Sequence, residues 1–231
     1  NSKQKTKLVQ NVFSSVASNY DKMNDFMSLG MHRLWKKRFV EIINHENNDF
    51  ILDVGSGSGD IAYQLIKKKL SSKIYLLDLN KEMLNHSKKK FRGEKNIKFI
   101  LGNAESLDFE DDYFDKYIIS FCLRNITEYV LSMKEAYRVL KPGGKYCCLE
   151  FSSPKSSIIS NSYKIYKSKI LPLLGDIVAK DRNAYKYLSE SIDLFPNQDE
   201  LSKILMSCGF INVTSISLFN GIVAIHTGYK I

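Results

Sequence analysis

The chain has 231 residues, 44% of them apolar and 26% charged, the balance of a folded globular domain long enough to bury a core without staples. Its four Cys form no Cys-x-x-Cys pair and its four His are scattered, so no metal site is expected and the thiols read as buried groups of a reducing compartment. No apolar run reaches the ~20 residues that span a bilayer, and the net charge of +9 leaves nucleic acid, an anionic membrane or an anionic ligand as partners, or plain solvated Lys on helix faces.

The first 45 or so residues carry helix-spaced apolar stripes, Leu8, Val12, Phe13 and Val16, then Leu34, Phe39, Ile42 and Ile43. A polar segment at 20–30 connects them. From Asp49 the pattern changes to strand-length apolar runs alternating with helical ones. Strands are expected at 50–54, 73–77, 97–101, 117–121 and 146–151, with helices near 61–70, 81–91 and 130–140. Pro142, Gly143 and Gly144 stop the last of these helices. Strands separated by helices predict βαβ units and a parallel sheet covered on both faces.

Residues 152–198 interrupt the repeat with helical stripes such as Ile165, Ile170 and Leu174, which predicts a helical insertion. A helix at 199–207 follows. Asn220-Gly221 between two apolar runs, 211–218 and 222–229, predicts a closing antiparallel hairpin. The expected fold is a single α/β domain over 1–231, with a mostly parallel seven-stranded, Rossmann-like sheet. Its parts are an N-terminal helical cover (1–48), a cofactor-binding core (49–151), the insertion (152–198) and a C-terminal helix and hairpin (199–231).

After the first strand stands Asp53-Val54-Gly55-Ser56-Gly57-Ser58-Gly59. Glycines there permit positive φ and close approach of a ligand to the backbone. Asp78 ends the second strand, where a carboxylate can accept both hydroxyls of a ribose. The third-Gly spacing is wrong for the dinucleotide fingerprint. The loop resembles the D/E-x-G-x-G-x-G signature of class I methyltransferases, which implies S-adenosylmethionine as cofactor. Alternatives stand beside each role: a turn or helix-dipole carboxylate for Asp53, an N-cap for Asp78, a turn residue for Asn103.

A narrower resemblance runs through Ala17-Ser18-Asn19-Tyr20-Asp21, Gly30-Met31-His32-Arg33-Leu34-Trp35-Lys36, Ile119 to Thr127, Arg138 to Gly144, Leu149 to Ser152, Tyr187 to Ile192 and Gly221 to His226. These segments resemble the ubiquinone/menaquinone C-methyltransferases, the UbiE family and its mitochondrial counterpart, over nearly the whole chain. The resemblance implies methyl transfer to a ring carbon of a polyprenylated benzoquinol, or of a demethylmenaquinol. It places cofactor contacts on the loop (Asp53, Gly55, Gly57, Ser58, Gly59), on Asp78 at the ribose, on Asn103 and Ala104 at the adenine, and on Ser120. Two departures from the family pattern are Cys122, where Gly is usual, and Gly55-Ser56-Gly57-Ser58-Gly59 in place of the frequent Ala-Gly-Gly-Thr-Gly.

For the chemistry, Arg124 is the candidate to hold a quinol oxyanion by its fixed charge, with Asn125 orienting the same oxygen. Tyr20 and Asp21 are candidates to close over the substrate, Asp21 also as a base. For Arg124 a structural ion pair, and for Asn125 and Asp21 a turn or cap, are the plain alternatives. His32 and His226 are lesser candidates for carrying protons. Apolar residues of the insertion, Tyr163, Ile165, Tyr166, Ile170, Leu171, Leu173 and Leu174, are candidate lining for a lipid tail or ordinary core.

The expected partners are therefore a lipid-tailed quinol, a membrane surface met peripherally, a quinone-synthesis complex and a second copy of the chain, with no nucleic acid: the Pro-containing turn of amino-methylating enzymes is missing at Ser120-Phe121-Cys122-Leu123. A non-catalytic cofactor-binding scaffold is the competing reading. The chain opens on Asn1 and is rich in Asn and Lys, which suggests a trimmed protein of the mitochondrial matrix; the bacterial cytoplasm is the alternative.

Overall fold

The computed structural model describes residues 28–68, 70–154 and 182–231, with Val9, Asn24, Asp25 and Tyr166 as isolated positions; at 182–186 and 188 only the backbone is described. The expectations for Tyr20, Asp21 and the apolar residues at 163–174 other than Tyr166 fall outside these residues.

Five parallel strands form the centre. They are β1 (Phe50–Val54), β2 (Lys73–Asp78), β3 (Ile97–Leu101), β4 (Phe114–Ser120) and β5 (Leu140–Phe151). Helices α1 (Met31–Ile43), α2 (Asp60–Ile66), α3 (Lys81–Lys90) and α4 (Tyr129–Val139) precede or connect them. Then come α5 (Arg182–Asp193), α6 (Gln198–Ser207), β6 (Ile211–Leu218) and β7 (Val223–Tyr229). The seven strands lie in the order β3-β2-β1-β4-β5-β7-β6, and only β7 runs against its neighbours. This is the mostly parallel seven-stranded sheet with a closing antiparallel hairpin that the pattern predicts.

The continuous apolar strands are needed because both faces are covered. One face buries Leu52, Tyr75, Tyr117, Ile119 and Cys148 against α4 and α6. The other buries Ile51, Ile74, Ile118 and Cys147 against α1 and α2. Successive residues of one strand thus enter opposite cores, and neither face tolerates polarity without a partner.

Caps mark where the helices begin. Asn80 Oδ1 accepts from the Glu82 and Met83 backbone N–H groups at 2.9 and 3.1 Å, opening α3. Asn197 and Glu200 cap α6 reciprocally. Glu82 in the first turn and Lys88, Lys89 and Lys90 in the last complement the α3 dipole.

Several element boundaries differ from expectation: α2 ends at Ile66, not near 70, and β4 runs over Phe114–Ser120, not 117–121. β5 begins at Leu140, not 146, because Leu140 pairs with Phe114 before a register shift leads to the Lys116–Lys145 pair. Gly143 N–H donates to the Lys230 carbonyl at 2.8 Å, so the Pro-Gly-Gly stretch is held to the end of β7 instead of standing off as a loop. The hairpin forms, but its turn is not the two-residue type. Pairing stops at Leu218–Val223, and Phe219, Asn220 and Gly221 all take positive φ. Ile222 is drawn into the core, which lengthens the connection.

Candidate active site

The strand order reverses direction of growth at β1, whose neighbours are β2 and β4. A crevice at the carboxyl ends of the strands forms at such a switch point. Here a cavity is lined by Gly55 and Gly57 from the first loop, Asp78 at the end of β2 and Asn80 after it, Asn103 and Ala104 after β3, and Ser120 at the end of β4 with Phe121, Cys122 and Asn125 after it. Val9 from the N-terminal part also reaches it.

The loop is shaped by its neighbours. The Gly57 N–H donates to Asp78 Oδ2 at 2.8 Å, and the Asn80 N–H to Asp78 Oδ1 at 2.8 Å. Asp78 therefore anchors the glycine turn while lining the cavity. Gly55 sits at φ 62, and a Cβ there would overlap Cys122 Sγ. Cys122 thus packs directly on the backbone of the glycine loop. Burial pushes the Cys122 thiol far up, so it stays a neutral packing group.

Of the residues expected at the cofactor, Gly55, Gly57, Asp78, Asn103, Ala104 and Ser120 line the cavity together. Asp53, Ser58 and Gly59 are not among the lining residues. Asp53 is 2% exposed on β1. Gly59 caps α2, and Ser58 Oγ donates to Asp60 Oδ1 at 3.3 Å.

The short 3-10 turn Leu123–Asn125 follows β4. Asn125 lines the cavity. Arg124 is turned inward: its Nη1 donates to Glu150 Oε1 and to the Phe121 carbonyl, each at 2.7 Å. The Glu150 and Arg124 side chains are 1% and 5% exposed, so this is a buried ion pair joining the ends of β4 and β5. The structural ion pair weighed for Arg124 is present. Sequence reasoning gave Glu150 no role, although a lone acid inside the apolar run Cys147-Cys148-Leu149-Glu150-Phe151 signals a buried partner. Tyr187, also given none, donates to Asn125 Oδ1 at 3.1 Å.

The two His candidates do not line the cavity. His32 bonds Asp25 at 2.8 Å, and His226 bonds the Gln198 carbonyl at 3.0 Å. Burial is the main cause holding both below the usual His range, which makes them neutral structural groups. Among the described residues, no cluster of three His, Cys, Asp or Glu is arranged to hold a metal.

The model of the ubiE/COQ5 methyltransferase family matches residues 1–230. The chain belongs to the ubiE/COQ5 methyltransferase family. Relatives named ubiquinone/menaquinone biosynthesis C-methyltransferase UbiE agree. Those of Rickettsia typhi and Rickettsia prowazekii are each 50% identical over 231 residues, covering 97% of this chain and 93% of theirs. That of Rickettsia bellii is 48% identical over 235 residues, covering 99% and 94%. Solved structures share the fold at low identity. A chain from the complex of the Haloferax volcanii Trm112 activator with a methyltransferase has a TM-score of 0.71 at 18% identity, covering 96% of this chain and 97% of that one. A SAM-dependent methyltransferase of Thermotoga maritima has a TM-score of 0.68 at 19% identity, covering 96% and 100%.

This member of the ubiE/COQ5 family is a C-methyltransferase that uses S-adenosylmethionine. Its residues fit that cofactor. Asp78, an acid at the end of β2, is among the residues that line the cavity. Ser120 lines the cavity, and its Oγ is buried with no hydrogen-bond partner. Unsatisfied buried polar atoms of this kind are costly in a finished core and suit a site completed by a polar ligand.

Asp53 also sets a pH dependence. Burial, with the Asp78 carboxylate beside it, raises its pKa to about 8. The folded chain then holds a proton that the unfolded chain releases near pH ~4. Between those values stability falls as pH rises, by up to ~1.4 kcal/mol per unit from this group. The melting temperature of the cofactor-free protein should therefore drop from pH 5 to 8. Asp53→Asn should flatten that slope and melt higher at pH 8; an unchanged slope in thermal melts would show that Asp53 is not the titrating group. Burial raises Asp78 in the same direction, so some slope persists in the variant.

Proposed function

We propose that the chain methylates a ring carbon of a polyprenylated benzoquinol, as a 2-methoxy-6-polyprenyl-1,4-benzoquinol methylase does in ubiquinone biosynthesis. The observation that carries this reading is one cavity lined both by Asp78, the proposed partner of the ribose, and by Asn125, whose turn holds the buried Arg124–Glu150 pair. The relatives' names join ubiquinone and menaquinone, so a demethylmenaquinol is the second reading.

When bound, S-adenosylmethionine supplies an electrophilic methyl group. The residues do the rest. Asp78 accepts the ribose hydroxyls, while Asn103 and Ala104 border the adenine. Ser120 and the Gly55–Gly57 backbone, with Asp53 beneath, surround the amino-acid end. A quinol becomes a carbon nucleophile once its hydroxyl proton leaves and charge moves to the ring. Asn125 donates to the resulting oxyanion. Arg124 adds positive potential from behind and fixes the turn through Glu150 and the Phe121 carbonyl. Tyr20 and Asp21, on the N-terminal part that reaches the cavity at Val9, close the site, with Asp21 taking the hydroxyl proton directly or through water. The ring proton leaves after the carbon–carbon bond forms.

A polyprenyl tail needs an apolar surface, which we assign to the 152–198 segment and to peripheral contact with an anionic membrane. Among the described residues, no helix is long and apolar enough to cross a membrane. The single domain is thus read as a cofactor core walled by its N-terminal part and this insertion. It works in the mitochondrial matrix or, as its Rickettsia relatives suggest, in a bacterium, alone, as a homodimer or within a quinone-synthesis complex.

Competition decides the substrate. With equal amounts of short-tailed methoxybenzoquinol and demethylnaphthoquinol, the benzoquinol should be methylated faster. Exclusive methylation of the naphthoquinol would replace this reading with the second.

A further inference from the structure

The contact between Tyr187 and Asn125 links the second half of the chain to the site. Tyr187 lies on α5, which packs against the 3-10 turn Leu123–Asn125. Its hydroxyl donates to Asn125 Oδ1 at 3.1 Å across 62 residues of chain. An Asn amide nitrogen carries two N–H donors. One lies toward the Phe121 carbonyl at 3.5 Å. With Oδ1 engaged by Tyr187, the second N–H is the polar group that Asn125 has to offer in the cavity it lines. An Asn amide can otherwise turn over, exchanging a donor for an acceptor. At a developing oxyanion that exchange replaces an attraction with a repulsion.

We propose that Tyr187 is the positioning residue for Asn125, locking its amide so that an N–H, not the C=O, meets the substrate oxygen. The inference rests on the reading that Asn125 faces the quinol oxyanion. Burial raises the Tyr187 pKa, and Arg124, Cys122 and Glu150 lie within electrostatic reach of it. The hydroxyl therefore remains a phenol, able to donate, over the working pH range. Its neighbour Arg124 is held by Glu150, so the turn beneath Asn125 is fixed from one side by the ion pair and from the other by α5.

Tyr187→Phe in the full chain removes one hydroxyl and little volume. Two measurements test it. First, the side-chain amide resonances of Asn125, followed by NMR without any ligand, should shift in Tyr187→Phe; unmoved resonances overturn the proposal. Second, Tyr187→Phe should lower kcat by about 10-fold or more while the calorimetric affinity for S-adenosylmethionine stays within about 2-fold. The double variant Tyr187→Phe/Asn125→Ala should be no slower than Asn125→Ala alone, because Tyr187 acts through Asn125. An unchanged kcat, or losses that multiply in the double variant, overturn the proposal. If the parent protein methylates neither quinol, the substrate reading fails, while the amide resonances still decide the role of Tyr187.

Discussion

Asp78→Ala should weaken S-adenosylmethionine binding by about 100-fold or more in calorimetry. Each ribose hydroxyl donating to a carboxylate contributes ~1.5–3 kcal/mol, and two such bonds at the lower figure already give about 100-fold. The loss has a second source. Asp78 also accepts from the Gly57 and Asn80 backbone N–H groups at 2.8 Å each, so its removal frees the glycine turn that the ligand must meet. Asp78→Asn separates the two effects. Its amide oxygen can keep one backbone bond, but it carries no charge, so it should bind the cofactor more tightly than Asp78→Ala and well below the parent. Unchanged affinity in Asp78→Ala would remove the ribose assignment.

The Arg124–Glu150 pair gives the second large effect. Removing one partner of a buried pair strands the other charge and costs ~3–5 kcal/mol. Glu150→Leu, which leaves the guanidinium without its carboxylate, should lower the denaturation midpoint accordingly. Arg124→Ala should do the same while retaining most cofactor affinity, because Arg124 does not line the cavity. Replacing both partners with apolar residues, as in Arg124→Met/Glu150→Leu, should recover much of the stability. Turnover distinguishes the roles. If Arg124 supplies positive potential to the oxyanion, the double variant is stable and nearly inactive. If the double variant turns over like the parent, the pair is scaffolding alone and Arg124 leaves the chemistry.

The cavity residues proposed to meet the cofactor were legible because they are local. A glycine turn directly after one strand, an acid at the end of the next and Asn103-Ala104 after the third are each readable within a few residues, and the parallel sheet brings them to one edge. The chemical half was only partly legible. Arg124 and Asn125 were readable as candidates, but their partners depend on which strands and helices become neighbours. Glu150 meets Arg124 because β5 lies beside β4, and Tyr187 meets Asn125 because α5 packs on the turn after β4. Neither adjacency is encoded in local spacing. The same reason explains β5, whose start at Leu140 depends on pairing with Phe114 and on Lys230 holding Gly143. In the hairpin, Asn220-Gly221 marked the reversal correctly, while burial of Ile222 decided its length.

The most direct measurement is product analysis after incubation with a trideuteromethyl donor and a short-tailed benzoquinol. The expected product carries one labelled methyl group bonded to a ring carbon in place of a ring hydrogen, and Asp78→Ala forms it far more slowly at limiting donor. A label on oxygen, or no transfer to any quinol by the well-folded protein, would contradict ring-carbon methylation as the function of this site.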